Sequence, residues 1–487
     1  MYHYILNVDC EAGAVLRNKK TILVCLVFLI VVVAAAYALR AGFMLPAKKN
    51  VILIVLDTVR ADRLGCYGNE ENITPEIDRF AQEAVVFNNA FSHAPWTLPS
   101  IASIFTSRYP SGHGAGGLLG KFKKLSADNV TLAEVMQRNE IATGAITNVM
   151  FLGKKFGMTQ GFDLVDEFLP TSNTHMRKAT LTTEAALNWL RRNRNEQFFL
   201  FVHYFDAHLV YDPPKKFRKQ FADPRDRESE EFLFGEISQI VSMRRRGLSL
   251  GREKIARLEK LYNAEVAYVD SEVGNLLGSL KQLGLDDNTV VVITSDHGEE
   301  FLEHGGFEHG HTLYDELLRV PLIIRDPDNV AAGDGGSKNQ GVNNKPPQVS
   351  TSVRLIDIAP TLCELAGIGI SEAFKGKSLA GLLHGGTEPS RPVLSEGNMW
   401  GPGGAAWRQG TWKLIRQDTV PEEQLFNIVS DPGERNNVAQ KDLVQARTMT
   451  HELSLAVQAN TLSRSRGKAA QLNPEEIERL RSLGYMQ

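Results

Sequence analysis

Residues of types that commonly bind metal ions follow two separate apolar runs in the chain. Asp57 comes directly after the run from Val51 to Leu56, and the pair Asp296-His297 follows the run from Thr289 to Thr294. Continuous apolar runs of this length are typical of buried strands in a parallel sheet. Ligands of open α/β sheets bind beyond the carboxyl ends of the strands. We therefore expect the two aspartates and the histidine to meet at one edge of a sheet.

A third run, from Phe198 to Val202, is followed by His208. Each of these polar residues has a structural alternative when it is taken alone. A single aspartate after a strand often caps a helix, and an Asp-His pair in a loop is more often structural than metal-binding. The convergence of three runs on one predicted edge favours a functional site.

A hydroxyl residue precedes a predicted helix in the stretch APWTLPSIASIFTSRYPSGHG. Pro99 suits a first helical turn, and the apolar residues after it are spaced as one buried face. Thr97 is therefore expected at or just before a helix N-terminus, where unpaired N–H groups favour negative charge. Thr97 is alternatively a helix N-cap, and the two roles are compatible. A cation beside its hydroxyl would lower the pKa of that group and activate it as a nucleophile.

Four motifs occur in a fixed order, and together they resemble a known family. They are NVILIVLDTVRADRLGCYG, the Pro-Ser segment after Thr97, SDHGE and TLYDELLRVPLII. In these motifs the chain resembles the sulfatase branch of the alkaline phosphatase superfamily, from about Asn50 to the C-terminal IERLRSLGYM. The resemblance implies a sheet-and-helix hydrolase domain, one bound divalent metal and a covalent ester intermediate on the nucleophile.

The chain departs from the usual sulfatase pattern at its key positions. Sulfatases of the usual kind carry C/S-x-P-S-R, and the first residue of that motif is oxidised to formylglycine. This chain has Thr97-Leu98-Pro99-Ser100-Ile101 instead, and Thr cannot form the aldehyde because the oxidation requires a primary carbon. The family's paired aspartates after the first strand are here Asp57-Thr58, and its Asp-Asn metal pair is Asp296-His297.

The metal ligands implied by this resemblance are Asp57, Thr97, Asp296 and His297. Calcium prefers six to eight oxygen ligands. A set of four that includes an imidazole favours zinc or manganese, with calcium left open. This set resembles the phosphoethanolamine and glycerol-phosphate transferases of the same superfamily, which use a metal-bound Thr.

Several histidines match positions that the family uses on the substrate side. His208 matches a substrate-side histidine and is expected to protonate the leaving group, so that Thr97 and His208 are the predicted catalytic pair. His309 and His311 both fall where the family places a basic substrate contact. His113 either faces substrate or braces a glycine turn. A second ion bound by Asp206, His208 and His309 or His311 is a less favoured alternative.

The predicted elements that position these residues define an α/β fold. Strands alternate with helices, of which the clearest runs from about Lys254 to Leu283, so we expect a mostly parallel central sheet flanked by helices. After residue 391, AAWRQGTWKLIRQ and EEQLFNIVSDPGE predict a small antiparallel subdomain. The predicted domains are a catalytic domain over 50–390 and a C-terminal subdomain over 391–487. Glu299, Glu300 and Glu303 are expected to form the solvated start of a helix.

An apolar segment near the N-terminus predicts a membrane anchor. Thr21 to Leu39 contains 19 uncharged, mostly apolar residues, which as a helix would span roughly 28 Å, about the thickness of the hydrocarbon layer. We predict a single-pass plasma-membrane protein with residues 1–20 cytoplasmic and the catalytic domain extracytoplasmic. A cleavable signal peptide is the alternative, because Ala36-Tyr37-Ala38 resembles a cleavage site.

Bulk composition narrows the function further. The formal net charge is −3, which argues against nucleic acid or an anionic membrane surface as the main partner. Cys66 and Cys363 are the two cysteines of the predicted soluble part, too few for a disulfide framework.

The sequence therefore predicts a membrane-anchored, metal-dependent hydrolase of sulfate or phosphate esters that uses a covalent Thr97 intermediate. Its expected substrate is a sulfated or phosphorylated glycan or lipid. One alternative is a transferase that moves phosphoethanolamine or glycerol phosphate. Another is a binding protein on a decayed enzyme fold.

Overall fold

The computed structural model of the protein describes most of the chain from residue 48 onward. The residues outside this description are 1–47, 119, 169–175, 222–250, 330–345, 401–402, 419–421, 463, 466, 484 and 486–487. The predicted anchor, Thr21 to Leu39, and the predicted tail over 1–20 lie outside the described residues. Among the described residues, none of the helices combines the length and the apolar character needed to cross a bilayer.

Eight strands form the central sheet, and most of them run parallel. In chain order they are Asn50–Leu56 (β1), Val85–Phe87 (β2), Ala142–Thr147 (β3), Leu164–Glu167 (β4), Phe198–Tyr204 (β5), Thr289–Ser295 (β6), Leu322–Arg325 (β7) and Gln348–Val349 (β8). The order across the sheet is β8-β2-β7-β6-β1-β5-β3-β4. Strand β7 runs antiparallel to both of its neighbours, β6 and β2. The predicted α/β class with a mostly parallel sheet is confirmed.

The central strand β1 is buried over its whole length because both faces of the sheet are covered. Val51, Leu53 and Val55 point into one hydrophobic core, while the residues between them point into a second core on the opposite face. This alternation follows from the two-residue period of a strand. A continuous apolar run is therefore the expected sequence of such a strand.

Helices cover both faces of the sheet. Those of seven or more residues are Pro75–Ala81 (α1), Thr97–Thr106 (α2), Leu132–Arg138 (α3), Ala179–Asn193 (α4), Lys215–Phe221 (α5), Arg252–Gln282 (α6), Ile358–Leu365 (α7), Leu443–Leu462 (α8) and Pro474–Ser482 (α9). Helix α2 packs into the first core. Helix α6, which matches the predicted helix over about 254–283, packs into the second core through Leu258, Tyr262 and Val266.

A second, antiparallel sheet follows in the C-terminal part of the chain. Its strands are Val393–Glu396 (β9), Gly404–Gln409 (β10), Trp412–Gln417 (β11) and Gln424–Asn427 (β12), paired in that order. This sheet confirms the predicted C-terminal antiparallel structure. Residues 49–487 form one compact unit, and the division at residue 391 stays a prediction.

A close approach of strand and helix makes one glycine of β3 sensitive to substitution. A Cβ atom on Gly144 would overlap the indole ring of Trp189 in α4, and Trp189 is buried. We expect Gly144→Ala to lower the free energy of unfolding by about 1–3 kcal/mol, because the packed indole must shift. The midpoint of urea unfolding measures this change.

The matched control for this substitution is Gly278→Ala on the exposed side of α6. A Cβ atom there would have no heavy atom within 4 Å, so the variant should be as stable as the wild type or up to about 1 kcal/mol more stable. Equal unfolding midpoints for the two variants would contradict the proposed packing conflict at Gly144.

Candidate active site

The register of three neighbouring strands brings the two aspartates together. Strand β1 lies between β5 and β6 and runs parallel to both, with Leu56 paired to Tyr204 on one side and to Ser295 on the other. The three strands therefore end at the same level. Asp57 and Asp296 are the next residues of β1 and β6, so that their side chains meet beyond the sheet edge.

Helix α2 delivers Thr97 to the same point. Thr97 is the first residue of the helix and Trp96 stands at its N-cap, where no side-chain capping bond is made. The Thr97 hydroxyl donates to Oδ2 of Asp57 at 3.4 Å and lies 3.4 Å from Nε2 of His297. The N-cap alternative for Thr97 is therefore not what the structure has, because its hydroxyl turns to the site. Ser100 fixes the helix here by donating to the main-chain oxygen of Asp296 at 2.7 Å.

The side chains of Asp57, Asp296 and His297 form a group that fits one metal ion. Their ligand atoms all lie within 4.8 Å of one another. Nε2 of His297 is 3.3 Å from Oδ2 of Asp296 and 3.8 Å from Oδ1 of Asp57. Ligands bonded to one ion at about 2.0–2.5 Å lie roughly 3–4 Å apart. The ring of His297 donates from Nδ1 to the oxygen of Gly298 at 2.9 Å, which in the neutral imidazole leaves the Nε2 lone pair facing the carboxylates.

A positive charge would stabilise this group of buried acidic side chains. Asp57, Asp296 and His297 have no exposed surface. Burial and the neighbouring Asp296 carboxylate raise the pKa of Asp57 well above its usual range. Oδ1 of Asp57 and Oδ2 of Asp296 have no hydrogen-bond partner, although buried polar atoms are nearly always paired. A divalent cation would satisfy both oxygens and offset their repulsion, so the residues present fit a metal ion.

His203 is a residue of this site that the sequence analysis missed. Its Nε2–H donates to Oδ2 of Asp57 at 3.0 Å, and burial lowers the pKa of His203 to about 4. A neutral imidazole therefore orients the carboxylate. The predicted strand ended at Val202, whereas β5 continues to Tyr204. The available signal was a lone histidine inside an otherwise apolar, buried run.

Thr58 does not replace the missing second aspartate as a ligand. Its hydroxyl lies 2.7 Å from the oxygen of Asp57 and 2.8 Å from that of Ala207, so its proton is directed at the main chain. The backbone of Thr58 has φ 60°, a left-handed conformation that is unusual for a β-branched residue. That conformation lets its N–H donate to Oδ1 of Asp296 at 3.3 Å.

His208 lies beside the site and is fixed at both ring nitrogens. Its Nδ1–H donates to the oxygen of Leu209 at 2.5 Å, and its Nε2 is 2.7 Å from the hydroxyl of Tyr485. Burial lowers the pKa of His208 to about 3, so the imidazole is neutral and Tyr485 is the donor. Tyr485 is a second residue that sequence reasoning missed, since nothing local in SLGYM indicates a site.

The structure separates the two histidines that the sequence left undecided. The His309 ring lies between those of His208 and His297, with centroids 4.9 and 4.5 Å away. His311 instead donates from Nε2 to Glu300 at 2.8 Å, so His309 faces the site and His311 supports a neighbouring loop.

The expectation that Glu299 and Glu300 begin a solvated helix is wrong. Both are buried in non-helical backbone, and Glu299 accepts from Nδ1 of His309 at 2.8 Å.

Two further expectations are decided by internal contacts. His113 uses Nδ1 to accept from the N–H of Ala115 and Nε2 to bond the hydroxyl of Ser103, each at 3.1 Å. It therefore braces the glycine turn and does not face substrate. The second-ion site is not assembled among the described residues, because Asp206, His208 and His309 or His311 do not form a group with metal-ligand spacing. In the described part of the chain, the group around Asp57 is the one set with metal-ligand spacing.

Comparison with known proteins places this fold and site in a family. The sulfatase family model matches residues 49–368. The chain is 24% identical to an arylsulfatase of Clostridium perfringens, over 82% of this chain and 92% of the relative. It is also 24% identical to an N-acetylglucosamine-6-O-sulfatase of Bacteroides thetaiotaomicron, over 82% of this chain and 85% of that relative. The phosphonate monoester hydrolase of Agrobacterium radiobacter has a similar fold, with a TM-score of 0.67 and 21% identity. The match covers 87% of this chain and 100% of that structure.

The chain belongs to the sulfatase family, within the alkaline phosphatase-like superfamily. The resemblance drawn from its motifs is confirmed, and the protein is a sulfatase-family hydrolase. The family is metal-dependent, and Asp57, Asp296 and His297 are the residues of this chain that would hold the ion.

Metal binding should depend on the two aspartates of the site. We expect the full-length protein to retain one equivalent of zinc or manganese after dialysis, and Asp57→Asn and Asp296→Asn to weaken metal affinity by at least about tenfold. Each variant removes a charged ligand from a buried group of few ligands. Metal analysis by mass spectrometry measures the bound ion.

Asp206→Asn is the control for metal binding, because an amide oxygen still accepts from the N–H of Ala179. It should retain as much metal as the wild type. Equal metal loss in Asp206→Asn and Asp57→Asn would contradict the assignment of the ligands.

The buried histidine of the glycine turn should make stability depend on pH. Burial lowers the pKa of His113 to about 3, against about 6.5 in an unfolded chain. The unfolded chain therefore binds a proton that the folded chain does not, and the free energy of unfolding falls as pH decreases from about 6.5 toward 3. Above about pH 6.5 this histidine contributes no pH dependence.

We expect His113→Gln to reduce that pH slope by up to about 1.4 kcal/mol per pH unit below pH 6.5. Urea unfolding of both proteins at several pH values measures the slope. The comparison holds even if the variant is less stable throughout. An unchanged slope would show that His113 does not titrate on unfolding in this range.

Proposed function

We propose that this protein is a metal-dependent hydrolase of sulfate or phosphate esters in which Thr97 is the nucleophile. One observation carries the proposal. The Thr97 hydroxyl lies 3.4 Å from both Asp57 and His297, beside a buried group with two carboxylate oxygens that lack a hydrogen-bond partner. The resemblance of the motifs supports the proposal, because it aligns Thr97 with the residue that the usual sulfatases convert to formylglycine.

The ion would be held by Asp57, Asp296 and His297, with Thr97 beside it. Such an ion lowers the pKa of an adjacent hydroxyl and offsets negative charge on the ester group. We propose zinc or manganese, because the set is small and contains an imidazole. The Thr58 hydroxyl is directed at main-chain oxygens, which leaves few of the oxygen ligands that calcium prefers.

The reaction would follow two displacement steps at the same sulfur or phosphorus atom. In the first, the Thr97 hydroxyl gives its proton to Oδ2 of Asp57 as Oγ1 attacks the sulfur or phosphorus atom, and the bond to the leaving oxygen breaks, which produces a Thr-linked ester. His203 holds Asp57 in place, and Asp57 accepts the hydrogen bond of Thr97. In the second step, water opens the Thr-linked ester and restores the hydroxyl.

His208 is proposed to protonate the leaving oxygen. Without substrate its pKa is about 3 because of burial. An anionic ester bound beside the ring would favour the charged imidazole and raise that pKa, as opposite charges do. His309, held by Glu299 between His208 and His297, is proposed to contact the ester group.

A sulfated glycan is the proposed substrate class. One relative is an N-acetylglucosamine-6-O-sulfatase. One structure of similar fold was solved with its substrate D-glucosamine-2-N,6-O-disulfate. It matches with a TM-score of 0.67 and 21% identity, over 86% of this chain and 99% of that structure.

A cavity of about 670 Å³ lies beside α2. Its lining includes Pro99 of that helix, the cations Lys121, Lys123 and Arg464, and the carboxylates Glu396 and Asp418.

The cellular location is a separate proposal that rests on the N-terminal segment. The apolar run from Thr21 to Leu39 has the length of a membrane span. We propose that it anchors the protein in the plasma membrane, with the catalytic part on the extracytoplasmic side. Such an arrangement suits an enzyme that meets large extracellular glycans.

Substitution of Thr97 tests the proposed nucleophile. We expect Thr97→Ala to lower kcat at least about 10³-fold, because the variant lacks the hydroxyl on which the ester would form. Thr97→Ser retains a hydroxyl and is the matched variant, for which we expect partial activity. Mass spectrometry of the quenched wild-type reaction should show one sulfuryl or phosphoryl group on the peptide containing Thr97.

The substrates for this experiment are an aryl sulfate, a phosphomonoester, a phosphodiester and a sulfated glucosamine, each with zinc, manganese or calcium. Full activity of Thr97→Ala would overturn the mechanism. Product transferred to an alcohol in preference to water would indicate a transferase. Absence of turnover on every ester, with metal still bound, would support a binding protein on an enzyme fold.

A further inference from the structure

The chain end contributes a side chain to the active site. Tyr485 has 1% of its surface exposed, and its hydroxyl is 2.7 Å from Nε2 of His208. The Tyr485 hydroxyl also lies near the Thr97 side chain. It is thus adjacent to both the proposed nucleophile and the imidazole proposed to protonate the leaving group. Nearly 400 residues separate Tyr485 from Thr97 in the sequence.

The segment before Tyr485 is built to hold it there. Helix α9 begins with a capping box between Asn473 and Glu476, and Glu476 also forms an ion pair with Lys155 at 2.9 Å. Leu480 and Leu483 are buried in the first hydrophobic core. Burial of two leucines is a substantial stabilising contribution. The chain end is therefore docked on the domain, and Tyr485 reaches the site from a fixed base.

The ring of Tyr485 packs independently of its hydroxyl. It makes an edge-to-face contact with Phe151 at a centroid distance of 4.7 Å and is 5.3 Å from the ring of His208. The hydroxyl adds the directional bond to Nε2. Removal of the hydroxyl alone would leave these ring contacts in place.

The His208 imidazole has few other constraints on its orientation. Its Nδ1–H is bound by the Leu209 oxygen, and Phe205 stacks on one face at a centroid distance of 4.4 Å. A hydroxyl both donates and accepts. Tyr485 is therefore able to donate to Nε2 of the neutral ring and to accept from the charged ring, and it supports one orientation in both states.

We propose that Tyr485 is a positioning residue that acts through His208, holding the imidazole in the tautomer and orientation from which it serves the leaving group. This inference rests on the proposed function, because it assigns a partner to the proposed proton donor. The bond to the Leu209 oxygen keeps a proton on Nδ1, so Nε2 is the nitrogen that gains and delivers a proton, and the bond to Tyr485 orients it. Orienting partners of catalytic histidines have large effects on rate when they are removed.

The test compares Tyr485→Phe with the wild type on two esters of the same acid, an alkyl ester and a 4-nitrophenyl ester. An alkoxide leaving group needs protonation, whereas 4-nitrophenolate does not. We expect kcat/KM for the alkyl ester to fall by about 10- to 100-fold, and kcat/KM for the 4-nitrophenyl ester by less than about threefold. The assays use full-length protein loaded with metal.

The matched control is Tyr109→Phe. Tyr109 is also buried, and its hydroxyl accepts from Arg354 at 3.0 Å. This variant should leave the ratio of the two kcat/KM values unchanged. Tyr485→Phe should lower the free energy of unfolding by no more than about 1–3 kcal/mol, because the ring contacts with Phe151 remain and only the bond to Nε2 is lost.

The outcomes separate this inference from the proposed function. An equal loss on both esters would show a merely structural role for Tyr485, and no loss on either would show no role; both overturn the inference. If Thr97→Ala is inactive while Tyr485→Phe behaves as the wild type, the proposed function stands and this inference fails. If the wild type cleaves no ester, both fail.

Discussion

The repulsion between two carboxylates without solvent access is the constraint on which the site depends. Asp57 and Asp296 meet because β1 and β6 are adjacent, parallel and in register, so the fold itself forces like charges together. The surrounding groups respond to this charge. The ring N–H of His203 and the main-chain N–H of Thr58 donate to the carboxylates. One oxygen of each aspartate still has no partner, which is the position that a cation would fill.

The departures from the usual sulfatase pattern are mutually consistent around this charge. A free alcohol is a weak nucleophile, so the role that we propose for Thr97 requires a strong local positive potential. The zinc or manganese ion that we propose for the site would supply that potential. The hydroxyl of Thr58, tied to main-chain oxygens, has become part of the scaffold.

A second layer of histidines lies over the metal-ligand group and is organised by acids and carbonyl oxygens. Glu299 holds His309, and Leu209 and Tyr485 hold His208. These partners come from distant parts of the chain, and the last comes from its end. The layer therefore depends on the docking of α9 as much as on the central sheet. Burial keeps the His208 imidazole neutral in the absence of substrate, and a bound anion would favour its charged form.

The sequence by itself determined the elements and the residues that directly follow them. The apolar runs before Asp57 and Asp296 are continuous, as buried parallel strands require, and such strands end at one edge of a sheet. The meeting of Asp57, Asp296 and His297 was therefore predictable without coordinates. Tertiary structure alone decided which of His309 and His311 faces the site and that His203 belongs to it. The physical reason is that side-chain direction and long-range docking leave no local pattern. Tyr485 shows this most clearly, because it lies 277 residues after His208 in the chain and its place beside that residue depends on the packing of α9.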